Sequence, residues 1–124
     1  MKPIQTLSVI ILGGALMSAA AFGDAHAGGA SGFAVVDSSG NLIRGSNATS
    51  AQHLSTGIYE VDFNSVVKKC VFTATTGLPG SNGTNDPAFV TVAGRGNNDE
   101  GVYITTFDVG GNSADFGFHL NVRC

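Results

Sequence analysis

The sequence predicts an all-β protein, either an antiparallel β-sandwich or a jelly-roll-like barrel of about seven strands. Three observations support this prediction. Short segments in which apolar and polar residues alternate recur along the chain, and turns rich in Gly, Ser, Asn and Thr separate them. After residue 27, no window of about ten residues has the three-and-four apolar spacing of a helix. Charged residues make up only 12% of the chain, about half the usual share, which is typical of turn-rich extracellular β-proteins.

Residues 1–27 are predicted to be a secretory signal peptide rather than part of the fold. A lone positive charge near the N-terminus is followed by an apolar run from Leu7 to Met17 and by an Ala-x-Ala cleavage site that ends at Ala27. The apolar run is too short for a transmembrane helix, which needs about 20 residues. Cleavage after Ala21 is the alternative. We therefore expect a single β-sandwich domain at residues 28–124, secreted or periplasmic, with no membrane span after cleavage.

The strands of the first half of this domain are predicted from alternation and from the turns between them. Gly32 to Arg44 reads as a hairpin around the turn at 38–41, and Ala51 to Leu54 is a weak candidate for an edge strand. Gly57 to Phe63 alternates cleanly, which predicts one face in the core and one in solvent. The core face would carry Tyr59, Val61 and Phe63, and the solvent face Ile58, Glu60 and Asp62.

Four further strands are expected in the second half, at Cys70–Thr75, Ala88–Ala93, Val102–Phe107 and Phe116–Cys124. Loops rich in glycine and polar residues separate them, at 77–87, 95–100 and 108–115. The last strand has the clearest pattern, because every second residue from Phe116 to Cys124 is apolar. This alternation places Cys124 on the core face.

The two cysteines, Cys70 and Cys124, are predicted to form a disulfide, because the chain is expected to enter an oxidising compartment. Cys70 shares its face with Phe72, so both thiols would approach from the core-facing sides of different strands. Closing a loop of about 55 residues would remove roughly 4 kcal/mol of unfolded-state entropy. Two unpaired buried thiols are the alternative.

Candidate catalytic residues are few, and we expect no enzymatic activity. The cysteines are assigned to the disulfide, and no serine stands in a Gly-x-Ser-x-Gly nucleophile elbow. Glu60 and Asp62, two apart on one strand, could form a carboxylate pair like that of glycoside hydrolases. Together with His119 they are the only residues that a hydrolase hypothesis could use. An exposed strand face explains the carboxylates, and a solvated or cross-strand-paired position explains His119.

No cofactor and no metal site are predicted. His53, in a stretch interpreted as an exposed loop, and His119 lack acidic or cysteine partners at metal-ligand spacing. Calcium is the ion that two oxygen-rich loops would suit best, at Asp108–Asp115 and Asn97–Glu100. Neither loop has the order of a recognised calcium motif, and Asp, Asn and Gly are common in any turn.

The charge pattern argues against one class of ligand, and the scarcity of catalytic groups argues against an enzyme, so we expect a binding function. Basic residues are scattered and the net charge is −3, which argues against nucleic acid. We expect a non-catalytic binding or surface-interaction module for an unknown extracellular protein or glycan. The alternative is a self-associating structural subunit, a homo-oligomer such as a trimer, formed through a face that carries Val71, Phe89 and Tyr103.

Two segments carry a resemblance to known domains. One contains the run GIYEVDF at 57–63 followed by Cys70, and the other ends in FHLNVRC at 118–124. Together they resemble a recurrent type of small exported bacterial β-domain with a Gly-x-Tyr-Glu-Val-x-Phe strand, a cysteine and a closing Phe-His-Leu-x-Val-x-Cys. The resemblance implies bacterial origin, export and a β-fold, and it implies no activity or site. The start of the first run is also loosely similar to C1q-type jelly rolls, which are trimeric.

Overall fold

A computed structural model of the chain describes residues 31–124, so the predicted signal peptide lies outside the described residues. Eight β-strands form two four-stranded sheets that pack face to face, and the described part of the chain contains no helix. The strands are β1 (Gly32–Val36), β2 (Leu42–Ser46), β3 (Ala48–Ser55), β4 (Ile58–Phe63), β5 (Val71–Thr76), β6 (Ala88–Gly94), β7 (Gly101–Asp108) and β8 (Phe118–Arg123).

The two sheets have the strand orders β2-β1-β8-β5 and β3-β4-β7-β6, and every pairing is antiparallel. We call them the β8 sheet and the β7 sheet. At one side of the sandwich the edge strands β5 and β6 lie near each other, yet they belong to separate hydrogen-bonded sheets. The predicted all-β class is therefore confirmed, and the architecture is an open sandwich rather than a closed barrel.

The core lies between the sheets and follows the predicted alternation. Tyr59, Val61 and Phe63 of β4 are buried, and they face buried residues of β8. The rings of Tyr59 and Phe118 meet edge to face across the sheets, with centroids 5.2 Å apart. The buried Tyr59 hydroxyl donates a hydrogen bond to the Ser38 carbonyl over 2.7 Å, so its polar end is satisfied. The other core members are Ala34, Val36, Val67, Val102, Ile104, Leu120 and Val122.

Two short connections set the sandwich topology. In the β1–β2 hairpin, Asp37 Oδ1 accepts hydrogen bonds from the backbone N–H groups of Ser39 and Asn41, which closes the turn. Between β2 and β3 the chain crosses from one sheet to the other at a single residue, Asn47, with φ of 61°. Asparagine tolerates this left-handed conformation better than most residues. Its side-chain amide also donates to the Ser31 carbonyl over 2.6 Å, which holds the corner in place.

The structure corrects three expectations. The weak edge-strand candidate is the full eight-residue strand β3, and it includes His53, which therefore does not lie in a loop. The last strand begins at Phe118, not Phe116, since the preceding segment is a loop. Cys124 lies just past β8 and is exposed rather than buried in the core.

The Cys70–Cys124 disulfide is present, and it joins neighbouring strands of one sheet. Val71 of β5 pairs with Arg123 of β8, so the two cysteines are the next pair beyond the end of this ladder. Their Cα atoms are 4.4 Å apart, close to the spacing of directly opposite residues in an antiparallel pair. The connection before β5, which includes Lys68 and Lys69, borders the bond. Cys124 is exposed because it lies at this rim, beyond the last buried residue of β8.

Within residues 31–124 no helix could serve as a membrane span.

Candidate functional site

The carboxylate pair singled out in the sequence lies on the outer face of the β7 sheet. Glu60 and Asp62 both point away from the core, as the alternation along β4 requires. However, Glu60 is only 7% exposed, so the expectation of a solvated carboxylate is wrong for this residue. Two residues of the β6–β7 turn, Arg95 and Asn98, cover it.

The hydrogen bonds around Glu60 engage both of its oxygen atoms. Arg95 Nε donates to Glu60 Oε1 over 2.5 Å, and Asn98 Nδ2 donates to Glu60 Oε2 over 2.9 Å. The same Asn98 nitrogen lies 2.8 Å from Asp62 Oδ1, so it bridges the two carboxyl groups. Ser50 Oγ of β3 is 3.4 Å from Asp62 Oδ2. We call Glu60, Asp62, Arg95 and Asn98 the carboxylate cluster.

The pKa values of the two carboxyl groups shift in opposite directions. Burial opposes ionisation of Glu60, but its hydrogen bonds with Asp62, Arg95 and Asn98 outweigh burial and lower the pKa of Glu60. Burial raises the pKa of Asp62, and the hydrogen bond and charge of the neighbouring Glu60 raise it further. Glu60 is therefore the member of the pair that stays ionised, with Arg95 as its counter-ion.

A glycine makes room for the cluster. Gly101 is the register partner of Asp62, and it begins β7 directly after the turn. A Cβ atom at Gly101 would lie 2.7 Å from Asn98 Nδ2 and 3.0 Å from Asp62 Oδ1. Because these contacts are tighter than side chains tolerate, any larger residue would displace the bridging amide.

The geometry suits a structural role for the cluster better than hydrolysis. Glycoside hydrolases separate their two carboxyl groups by about 5 Å or more to fit a sugar or a water molecule. Here one amide nitrogen bridges both groups, and each Glu60 oxygen already accepts a hydrogen bond from Arg95 or Asn98. The third candidate, His119, lies on β8 in the other sheet. The three residues that a hydrolase would need are thus not brought together.

Beside the carboxylate cluster, the β7 sheet exposes aromatic residues. Tyr103 and Phe107 share the outer face of β7 and are about 13 Å apart along the strand. Phe89 of β6, which is 56% exposed, is the register partner of Phe107. The guanidinium carbon of Arg95 lies 5.4 Å from the centre of the Tyr103 ring, a cation–π contact that joins the cluster to the aromatic residues. We call Phe89, Tyr103 and Phe107 the aromatic face.

Only two of the three residues predicted to form a self-association face lie on the same sheet face. Phe89 and Tyr103 do share an outer face, and Phe89 is exposed. Val71 is 64% exposed, but it lies on β5 in the opposite sheet. Val71 therefore does not share a sheet face with Phe89 and Tyr103.

The histidines have partners that are distant in sequence. His53 Nε2 of β3 lies 2.9 Å from Asp115 Oδ1, and the same oxygen accepts a hydrogen bond from the Gly57 backbone N–H over 2.6 Å. The Gly57 hydrogen bond is the main cause that lowers the pKa of Asp115, and the bond from His53 adds to it. His119 Nε2 lies 2.9 Å from the Leu78 carbonyl oxygen. Local spacing could not reveal these pairs, because 62 and 41 residues separate the partners.

In the two loops considered for calcium, Asp108 and Asp99 are engaged by groups of the protein. Asp108 Oδ1 accepts hydrogen bonds from the backbone N–H groups of Gly110 and Asn112, which closes its turn. Asp99 Oδ2 lies 3.3 Å from Lys68 Nζ. Among residues 31–124, no three His, Cys, Asp or Glu side chains are placed to hold a metal ion.

Sequence reasoning missed Arg95 and Asn98, which it treated as part of a polar turn. The only signal for them is that a glutamate in the middle of a core strand requires a partner, and a hairpin turn with an arginine can supply one.

Comparisons with protein-family models, curated proteins and solved structures found no match to this chain.

Proposed function

We propose that this chain is an exported, non-catalytic β-domain that binds an extracellular or cell-surface protein through the aromatic face. The observation that carries this proposal is the group of outward-facing aromatic side chains on one sheet. Phe89, near the start of the edge strand β6, is exposed beside its register partner Phe107, and grouped exposed apolar residues are typical of contact surfaces.

The composition of this surface matches that of protein interfaces. Aromatic residues and arginine are enriched in the energetically dominant part of such interfaces, where they form rigid anchors. Here Tyr103 is held by Arg95, which Glu60 fixes in turn, so the anchor is ordered before a partner arrives. Polar residues of β3, such as Gln52 and Ser50, border the same face and supply a rim.

Export to an extracellular or periplasmic compartment is part of the proposal. The disulfide supports it, because such bonds persist mainly in oxidising compartments. The N-terminal signal pattern and the resemblance to small exported bacterial domains support it as well. The occupied oxygens of Glu60 and the distance of His119 support a non-catalytic role.

The test is a cell-surface binding assay with labelled protein and two matched variants. Phe89→Ser removes the most exposed aromatic anchor, and Val71→Ser removes an even more exposed apolar residue from the opposite sheet. We expect Phe89→Ser to weaken binding about 10-fold or more and Val71→Ser to leave it unchanged. Protease treatment of the cells should abolish binding. Wild-type affinity in Phe89→Ser, or binding that survives protease treatment, would contradict the proposal.

Self-association through the same face is the second candidate, because Phe89 and Phe107 face each other in register and could pack against the same pair of another copy. In that case light scattering at micromolar concentration should give a multiple of the monomer mass, and Phe89→Ser should restore the monomer. A monomeric wild-type mass would exclude this candidate.

A further inference from the structure

The outer face of the β8 sheet, opposite the aromatic face, contains two adjoining cavities. Each has a volume of about 300 Å³. The first lies over strands β1, β8 and β5, and the second lies between this floor and the loop at 77–87. Thr75 and His119 border both cavities, so the two cavities adjoin, and we describe them together as a groove.

The strand register arranges the floor of this groove in three columns. In one row Asn121 of β8 stands between Phe33 of β1 and Thr73 of β5. In the next row, one step along the outer face, His119 stands between Val35 and Thr75. An apolar column, an amide and imidazole column, and a hydroxyl column therefore lie side by side. We call the two cavities, with these six residues as their floor, the β8 groove.

Hydrogen bonds from the sheet to the 77–87 loop hold the wall of the groove. His119 Nε2 reaches the Leu78 carbonyl oxygen over 2.9 Å, and Arg44 Nη1 donates to the Pro79 carbonyl oxygen over 2.7 Å. The Gly77 N–H donates to the Gly117 carbonyl oxygen over 2.9 Å. Gly77 also lies close against the imidazole, since a Cβ atom there would be 3.1 Å from His119 Cδ2. The histidine ring is thereby fixed before any ligand binds.

These contacts determine the hydrogen-bonding character of His119. A carbonyl oxygen can only accept, so Nε2 carries the hydrogen, and in the neutral ring Nδ1 is an acceptor. Asn121, which is exposed, offers both a donor and an acceptor, and each threonine hydroxyl does the same. The groove thus combines both hydrogen-bond roles with one apolar side.

None of the residues that line either cavity, all within the described part of the chain, is an acid, a lysine or an arginine. An uncharged lining favours an uncharged ligand, because no lining group compensates for the desolvation of a charge and the neighbouring Arg44 is engaged with the Pro79 carbonyl oxygen. From this arrangement we infer that the β8 groove binds a neutral oligosaccharide. The sugar hydroxyls would meet Asn121, His119 and the threonines, and an apolar sugar face would lie toward Phe33.

The test is isothermal titration of the purified protein with short linear oligosaccharides of glucose, mannose, galactose and N-acetylglucosamine. Two variants remove polar groups from the groove: Asn121→Ala removes the amide, and the nearly isosteric Thr73→Val replaces a hydroxyl by a methyl group. Asn112→Ala is the control, since Asn112 is an exposed amide in the turn after β7 and lines neither cavity. We expect at least one sugar to bind, each groove variant to weaken it about 10-fold, and the control to bind normally. Melting curves of the variants verify that they fold.

Backbone NMR shifts on titration give a second readout. The expected changes cluster on the β8 groove and leave the aromatic face unaffected. The inference is overturned if no oligosaccharide binds at millimolar concentration, if both groove variants bind as well as the wild type, or if an extended peptide or a charged sugar shifts the groove while neutral sugars do not. The inference is independent of the protein-binding proposal, since Phe89→Ser tests only that proposal and lies on the other sheet.

Discussion

Removing the disulfide tests most directly how this small domain is stabilised. The perturbation is the double variant Cys70→Ala/Cys124→Ala, with reduced wild-type protein as a parallel measurement. Cys124 is exposed and Cys70 is half-buried, so the substitutions leave little cavity behind. The stability change therefore reports mainly the lost chain constraint rather than lost packing.

The magnitude follows from the loop that the bond closes. The cysteines are 54 positions apart, and the loop contains β5, β6, β7 and β8. In the chain-entropy description a loop of this length stabilises the folded state by about 4 kcal/mol. For a domain of this size each kcal/mol corresponds to roughly 4–8 °C in Tm, so we expect a decrease of about 15 °C or more.

Differential scanning calorimetry at neutral pH measures this decrease, and hydrogen exchange shows where it begins. Because β5 is an edge strand that pairs only with β8, exchange in the variant should rise first at Val71 and Arg123, next to the lost bond. The reduced wild type should behave like the double variant. A Tm decrease of less than about 3 °C in both samples would refute the reasoning, because it would mean that the bond does not constrain the unfolded chain.

Three further outcomes are expected. Gly101→Ala should lower the unfolding free energy by about 1–3 kcal/mol in a urea titration, because the new Cβ atom would collide with the carboxylate cluster. Gly96→Ala is the control and should not lower it, since a Cβ atom at Gly96, in the turn before β7, would have no neighbour within 4 Å. Arg95→Leu should destabilise the protein on the order of 2 kcal/mol and raise the pKa of Glu60, as followed by NMR titration, since a nearly buried carboxylate loses its partly exposed counter-ion. Asp115→Asn should lower the Tm at pH 7 but not near pH 2. The pKa of Asp115 is lowered in the folded state, so its contribution to stability is present above the unfolded-state pKa of about 4. That contribution is lost as the pH falls through the folded-state pKa. An equal Tm difference at both pH values would contradict this assignment.

The strands were predictable because each is a local pattern. The alternation in β4 and β8 correctly assigned Tyr59, Val61, Leu120 and Val122 to the core. The β3 strand was underestimated because its small and polar residues pack only partly, as expected for an edge strand. An eighth strand was therefore found where the pattern was weakest.

The candidate site was predictable only in part. The sequence placed Glu60 and Asp62 on one outer face, and the structure agrees. It could not show that Glu60 is covered, because the covering residue Arg95 is 35 positions away and its approach depends on how the β6–β7 turn folds back over β4. It also grouped Val71 with Phe89, because alternation defines the inner and outer sides of a strand but not the sheet to which the strand belongs.

The sequence by itself determined the strand class, most of the inward residues and the pairing of Cys70 with Cys124. These properties depend on a period of two along the chain and on there being only two cysteines. The tertiary structure alone decided which strands share a sheet, and with it the aromatic face, the buried state of Glu60 and the uncharged β8 groove. Each of these features is made by side chains that register and packing bring together from distant positions, and no local pattern encodes that proximity.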